Sequence, residues 1–431
     1  MKKKKILITG LTLCGNKGGA ALALSFIEGI KKYISADFIF AVNSNNINLE
    51  KKWANRYKIN VIAGDTIFDL FFTIMPFLYL INFIKNKNSI GSLRNIFKSK
   101  KKIHNEYIDL IKNVDCIINI NGIAFVGDVT RSWLVSFIER TSSIYSKLYK
   151  KPFFRFIQSY GPFNDWRVKL LAKMEFSNLD MIMARGKSSA KYCESITKNK
   201  PIYSFPDVAL ILPSSNKNWL NKYLNKFNLK QNKYIVLSPS AAITNISEKR
   251  GSSLGKKHIQ VYLNIAKHFI LKNKKILFVP HSTSLIKSSC DREVCKKILL
   301  ELKKENIDTS NCFILDDDLD CLQLKAIISK SKFAIISRYH ALVAALSSNT
   351  PAISIGWNEK YIDLMTFYNC PKYAIDSRMM EPKELSKIII DITNNLTKEN
   401  KVSLNKCNIY LKKEVDRALK ICADWILSVS N

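Results

Sequence analysis

Short apolar runs of strand length alternate along the chain with stretches whose apolar residues recur at helical spacing. KILIT (5–9), DFIFAV (37–42), NVIAG (60–64), CIINI (116–120), FFRFIQS (153–159) and MIMAR (181–185) form a first series. YIVLSPS (234–240), KILFVPH (275–281), FILDD (313–317), FAIIS (333–337) and PAISIG (351–356) form a second. The runs are rich in β-branched and aromatic residues. Between them lie helical patterns such as HIQVYLNIAKHFILK (258–272) and CLQLKAIISKS (321–331). Continuous apolar strands separated by helices predict parallel sheets covered on both faces.

The two series are joined by a polar, Asn- and Lys-rich stretch with two prolines. This predicts an α/β protein of two Rossmann-like domains facing each other across a cleft. The first domain spans 1–205 and a linker 206–232. The second spans 233–400, and a helical tail at 401–431 is expected to pack back on the first. Ligands in such folds sit at the carboxyl ends of strands, so the residues just after each strand are the candidates for chemistry.

Composition changes the picture only in part. The chain has 431 residues and a net charge of +33, which suggests an anionic partner. Yet 56 of its 68 basic residues are Lys and only 12 are Arg, spread over every segment. Nucleic-acid surfaces lean on the Arg fork, so scattered Lys argues against nucleic acid. The ten cysteines form no C-x-x-C pair and no zinc-ligand spacing, which fits free thiols in a reducing cytosol. The opening MKKKKILITG reads as a buried strand ending in a glycine turn rather than as a signal peptide.

One segment departs from the alternation. LFFTIMPFLYLINFI (70–84) is uncharged and too short to span a bilayer, which needs about 20 apolar residues. The next eighteen residues (85–102) hold seven basic residues and no acidic one. An apolar wedge beside a basic stretch suits peripheral contact with anionic lipid; a buried helix followed by a solvated loop is the other reading.

Candidate chemistry gathers after the strands. In FAIISRYHALVAALSSNTPAISIGW (333–357), Arg338, Tyr339 and His340 follow a buried strand and precede a small-residue helix expected from Ala341. A cation able to clamp a phosphate or carboxylate thus meets an imidazole able to move a proton, beside a helix N-terminus that favours anions. KILFVPHSTS delivers His281 in the same way, with Asp291 ten residues on. Lys249 and Arg250 sit on a Gly/Ser loop that could close over an anionic donor. After the first strand, GNKGG (15–19) is not a dinucleotide fingerprint, but it permits a tight turn whose N–H groups could hold an anion or a sugar hydroxyl. NGIAFVGD (121–128) and IQSYGPF (157–163) complete the set.

Together these segments resemble the polysaccharide pyruvyl transferase family. SRYHALVAAL…NTPAISIGWNEK looks like that family's R-x-H-A-L…G-x-P-x-I block, and GNKGG, IQSYGPF, MARGKSS, PDVAL and VPHSTS resemble its other blocks in order. Asn349-Thr350 stands where the family has Gly before the proline, and Gly186 where it often has an acidic residue. The resemblance implies a glycosyltransferase-B-like fold and transfer of a pyruvyl group from phosphoenolpyruvate onto sugar hydroxyls, giving a ketal and phosphate. It makes His340 catalytic. It makes Arg338 donor-binding; the strand-end reading adds His281, Arg250 and Lys249 on the phosphoenolpyruvate, and Asn16, Gly18, Gln158, Ser159 and Asp128 on the acceptor side.

No metal and no cofactor beyond that co-substrate is expected. The acceptor would be a cell-surface saccharide or its lipid-linked precursor, met in the cytoplasm, with peripheral membrane contact through 70–102. Two other readings stand beside this one: a nucleotide-sugar-dependent glycosyltransferase of the same fold, and an inactive membrane-surface binding protein.

Overall fold

The fold comes from a computed structural model that describes residues 3–43, 46–64, 90–128, 131–249, 252–283, 290–356, 358–378, 380–396 and 398–429. The side chains of 43, 90–100, 246–249 and 398–400 are not described. The wedge 70–84, Arg250, the side chain of Lys249 and most of the basic stretch therefore lie outside the described residues. The chain divides into two compact units. One comprises Met1–Cys14, Ile27–Phe205 and Ala418–Asn431, the other Gly15–Phe26 and Pro206–Arg417.

The first unit contains strands β1 (Lys4–Thr9), β2 (Ala36–Asn43), β3 (Asn60–Gly64), β4 (Cys116–Asn119), β5 (Ile123–Ala124), β6 (Phe153–Arg155), β7 (Ser159–Tyr160), β8 (Ile182–Arg185) and β9 (Ile202–Phe205). Its main sheet runs β3-β2-β1-β4-β6 and is parallel throughout. Ile6, Leu7 and Ile8 of the central β1 are fully buried, as a strand covered on both faces requires. The run 153–159 does not form one strand. β6 stops at Arg155, Ile157 takes a φ of 34°, and β7 pairs with β5 instead. Arg155 and Gln158 are fully buried and have partners there: Arg155 pairs with Glu175, and Gln158 accepts from Arg155 and donates to Asn119. The end of the C-terminal helix (Lys398–Ser428) belongs to this unit. There Trp425 packs on Phe154 at 4.9 Å between ring centroids and donates its indole N–H to Asp180 at 2.8 Å.

The second unit holds β10 (Tyr234–Ser238), β11 (Lys275–Phe278), β12 (Cys312–Ile314), β13 (Phe333–Ile336), β14 (Ala352–Gly356) and β15 (Ala374–Asp376). They form one parallel sheet in the order β12-β11-β10-β13-β14-β15. Numbered within the unit this is 3-2-1-4-5-6, the Rossmann order, with its reversal between β10 and β13. The core packs Ile235, Leu237, Phe278, Ile335 and Ile353 against helix Leu254–Leu271 and its neighbours.

The stretch 206–232, expected as a linker, is instead structured. It holds a 3₁₀ helix (Val208–Ile211) and an α-helix (Lys217–Asn225) that buries Leu220, Tyr223 and Leu224. Those three residues share one face at helical spacing, while the Asn and Lys that suggested a linker occupy the other.

Candidate active site

The carboxyl ends of β10, β11 and β13 are tied together by one carboxylate. Asp291, fully buried at the start of helix Asp291–Lys304, accepts the backbone N–H of Ala241 (2.8 Å), His281 (3.2 Å) and Ser282 (2.8 Å). It also accepts from Arg338 Nε at 3.0 Å and 2.8 Å, with Arg338 Nη2 on the same carboxylate. The loops after three strands are thereby held in register by a single side chain. Arg338 feels opposing effects: burial disfavours its charge, and Asp291 outweighs that, holding the guanidinium above its usual range. Nε and Nη2 of Arg338 are thus both engaged by Asp291.

Arg338 is also the N-cap of helix Tyr339–Ser347, and its own side chain makes no capping hydrogen bond. The helix begins two residues earlier than the apolar pattern predicts, so His340 lies in its first turn. The first-turn N–H groups and dipole of a helix favour an anion. At the other end Asn349 takes a φ of 60°. That is the left-handed position in which helices commonly end on glycine and tolerate asparagine, which accounts for the Asn-Thr-Pro variant.

His340 is held on two sides. Its Nε2 lies 3.7 Å from Asp207 Oδ2. Asp207 is itself buried and fixed as the cap of the 3₁₀ helix, accepting Ala209 N–H at 2.7 Å. On its other edge the imidazole rests on helix Lys17–Ile30 at Gly18. A β-carbon built on Gly18 would stand 2.1 Å from His340 Nδ1, closer than any real contact. This approach depends on the loop before the helix, which docks on the β11 end. Lys17 N–H donates to His281 O (3.3 Å), Thr283 N–H donates to Gly15 O (3.0 Å), and Asn16 bridges to Ser282.

Two further imidazoles line the same corner. His281 is buried, and its pKa is pushed well below the ordinary value by burial first, then by His340, Arg338 and Lys17. His258, on helix Leu254–Leu271, accepts Ser240 N–H at 3.2 Å; burial, aided by Arg338, lowers its pKa to about 3. Both are therefore neutral near pH 7. Lys17 is buried as well, with its Nζ on Asp318 at 2.8 Å. Among the described residues no group of His, Cys, Asp and Glu is arranged to hold a metal ion.

A family description, polysaccharide pyruvyl transferase, matches residues 16–359, which include every element of this corner. The chain belongs to the polysaccharide pyruvyl transferase family. It is 21% identical over 408 residues to the amylovoran biosynthesis protein AmsJ of Erwinia amylovora, covering 89% of this chain and 91% of that one. Among solved structures it is similar to a UDP-GlcNAc 2-epimerase of Neisseria meningitidis, with a TM-score of 0.56 at 14% identity over 98% of this chain and 100% of that one. It is also similar to a glycosyltransferase of Rickettsia africae, with a TM-score of 0.54 at 13% identity over 100% and 99%. Those likenesses establish the fold, a glycosyltransferase-B-like α/β architecture of parallel sheets.

Of the residues singled out from the sequence, the second unit brings together His340, Arg338, His281, Asn16 and Gly18. Gln158, Ser159 and Asp128 lie in the first unit. The Gln158 amide donates to Asn119 and its carbonyl accepts from Arg155, while Ser159 Oγ accepts from Arg185. Both side chains are buried and brace the loop after β6; Asp128 is half-buried. Sequence reasoning did not single out Asp207, His258 or Lys17. Asp207 could have been found from Pro-Asp before an apolar turn, an N-cap signature. Lys17 shows only as a basic residue inside the glycine turn, and His258 carries no signal, being one position of an amphipathic helix.

Proposed function

We propose that the protein moves a pyruvyl group from phosphoenolpyruvate onto two hydroxyls of a sugar in a cell-surface polysaccharide or its lipid-linked precursor. In the balanced reaction two C–O bonds form at the enol carbon and its bond to phosphate breaks. One hydroxyl proton ends on the methylene carbon, making a methyl group, and the other leaves with phosphate. Phosphoenolpyruvate carries several negative charges on a small frame. Arg338 Nη1 and the start of helix Tyr339–Ser347 supply the matching donors. His340 is the group that moves protons, and Asp207 stabilises the imidazolium formed in passing.

The observation that carries this reading is the pairing, within one family-defining block, of an Asp291-anchored Arg338 with a His340 seated against Gly18 and Asp207. No cofactor or metal is called for, since charge neutralisation comes from side chains and helix N–H groups. The protein would work in the cytoplasm at the inner face of the membrane, with 70–102 as a contact. The test is incubation with phosphoenolpyruvate and candidate glycans, following phosphate release and the ketal methyl signal by NMR. Turnover with a nucleotide sugar and none with phosphoenolpyruvate would overturn the proposal in favour of a glycosyltransferase.

A further inference from the structure

Helix Trp166–Phe176 is apolar on two sides, whereas a helix covering a sheet needs only one apolar face. Val168, Ala172 and Phe176 face the core, and Glu175 is buried between Arg140 and Arg155. On the opposite side Trp166, Leu170 and Met174 stand at positions i, i+4 and i+8, exposed to 72%, 50% and 46%. At about 100° per residue, Lys169 and Lys173 border this ridge on one flank and Arg167 on the other. All three are exposed. The nearby carboxylates are already engaged. Asp165 caps the helix and pairs with Arg167 through two bonds of 3.0 Å and 2.7 Å, and Asp180 accepts from Trp425. Leu134, on the adjoining helix Trp133–Ile138, is exposed as well.

We propose that this ridge docks the protein on an anionic lipid surface. Aromatic and aliphatic side chains bordered by cations, here Lys169 and Lys173, are what an interfacial helix presents. Lys side chains extend to lipid headgroups while their stems lie on the apolar boundary. Protein interfaces, by contrast, are depleted in Lys. The net charge of +33 has the sign that an anionic surface attracts. The contact is independent of the reaction assigned to the second unit, and distinct from 70–102.

The test is flotation of the full-length protein with vesicles of phosphatidylglycerol in phosphatidylcholine, against phosphatidylcholine alone. The comparison includes a Trp166→Ser/Leu170→Ser/Met174→Ser variant and a Lys169→Gln/Lys173→Gln variant. The wild type should bind the anionic vesicles selectively. The serine variant should lose at least about tenfold in partitioning, and the glutamine variant about fivefold for each cation removed. Every replaced side chain is exposed, so both variants should keep the wild-type thermal midpoint. If the serine variant fails to fold, the glutamine variant, which keeps the ridge intact, carries the test. Partitioning equal to wild type in both variants would overturn the proposal, as would a wild type that ignores anionic vesicles. A wild-type dimer that the serine variant converts to monomer would overturn it too, assigning the ridge to a second copy of the chain.

Discussion

Replacing Gly18 by alanine isolates the contact on which the proposed proton transfer depends. The added β-carbon would lie 2.1 Å from His340 Nδ1, 2.7 Å from Cγ and 2.8 Å from Cε1. Ordinary non-bonded contact begins near about 3.5 Å, so the ring must retreat by about 1.4 Å. It would then lose its place between Gly18 and Asp207. A displacement of about 1 Å at a reacting group costs on the order of 10²-fold in rate, or about 2.7 kcal/mol of barrier. Stability should move far less. Alanine is favoured over glycine in a helix by about 0.5–1 kcal/mol, which partly offsets an overpacking cost of about 1–3 kcal/mol.

The assay is phosphate release from phosphoenolpyruvate with a working glycan acceptor, run beside a urea melt. The expected result is a kcat lower by about 10²-fold, a modest change in KM for phosphoenolpyruvate, and a folded protein. A double-mutant cycle sharpens it: if Gly18 acts only through the imidazole, Gly18→Ala in a His340→Ala background should cost nothing further. Turnover near wild type in Gly18→Ala, or losses that simply add in the double variant, would refute the reasoning.

Asp207→Asn removes the charge facing His340 Nε2 while keeping an oxygen for the cap. Turnover should fall by about tenfold or more with KM for phosphoenolpyruvate nearly unchanged, read by steady-state kinetics. Asp291→Asn breaks a buried ion pair and should destabilise the second unit by about 3–5 kcal/mol, seen as a lower urea midpoint. Arg338→Lys keeps the charge but loses the fork that grips Asp291, so KM for phosphoenolpyruvate should rise while the fold survives. His258 and His281 are both neutral in the fold, with pKa values depressed below the unfolded value of about 6.5. Their contribution to stability should therefore be flat above about pH 6.5. It should fall as pH drops below it, because the unfolded chain takes up protons that the folded chain refuses. His258, whose pKa lies at about 3 in the fold, contributes a loss of about 2 kcal/mol by about pH 5. His258→Gln, which keeps an acceptor for Ser240 N–H, should remove about that much of the loss in urea melts at the two pH values.

The sheets were legible because their strands are buried on both faces and read as unbroken apolar runs, and the Arg338-Tyr339-His340 corner because it directly follows one of them. What could not be read was the company those residues keep. His340 meets Gly18 and Asp207, and Arg338 meets Asp291; no local pattern reports contacts that the Rossmann winding assembles from distant turns. In two places polarity did not mark the surface. The run 153–159 read as one strand, yet Arg155 and Gln158 within it are buried and the backbone leaves the main sheet after Arg155. The Asn and Lys of 206–232 looked like a linker because one face of its helix is polar, while Leu220, Tyr223 and Leu224 bury the other.

The same distinction decides what the excess of positive charge means. In the corner at the ends of β10, β11 and β13 each cation comes with a carboxylate: Arg338 with Asp291, and Lys17 with Asp318. These pairs cancel much of the local charge, so the long-range field of a +33 chain is not what would select a small anion there. In the proposed reaction, selection would fall to direction: a guanidinium edge held by a buried carboxylate, beside the start of a helix that the Arg338 side chain does not cap. Around Trp166 the argument reverses. There the Lys169 and Lys173 side chains are exposed, and their value to a lipid surface would be the summed charge itself. On the two proposals, cations neutralised in place would serve recognition of a single small ligand, whereas those left to solvent would serve attraction to an extended surface.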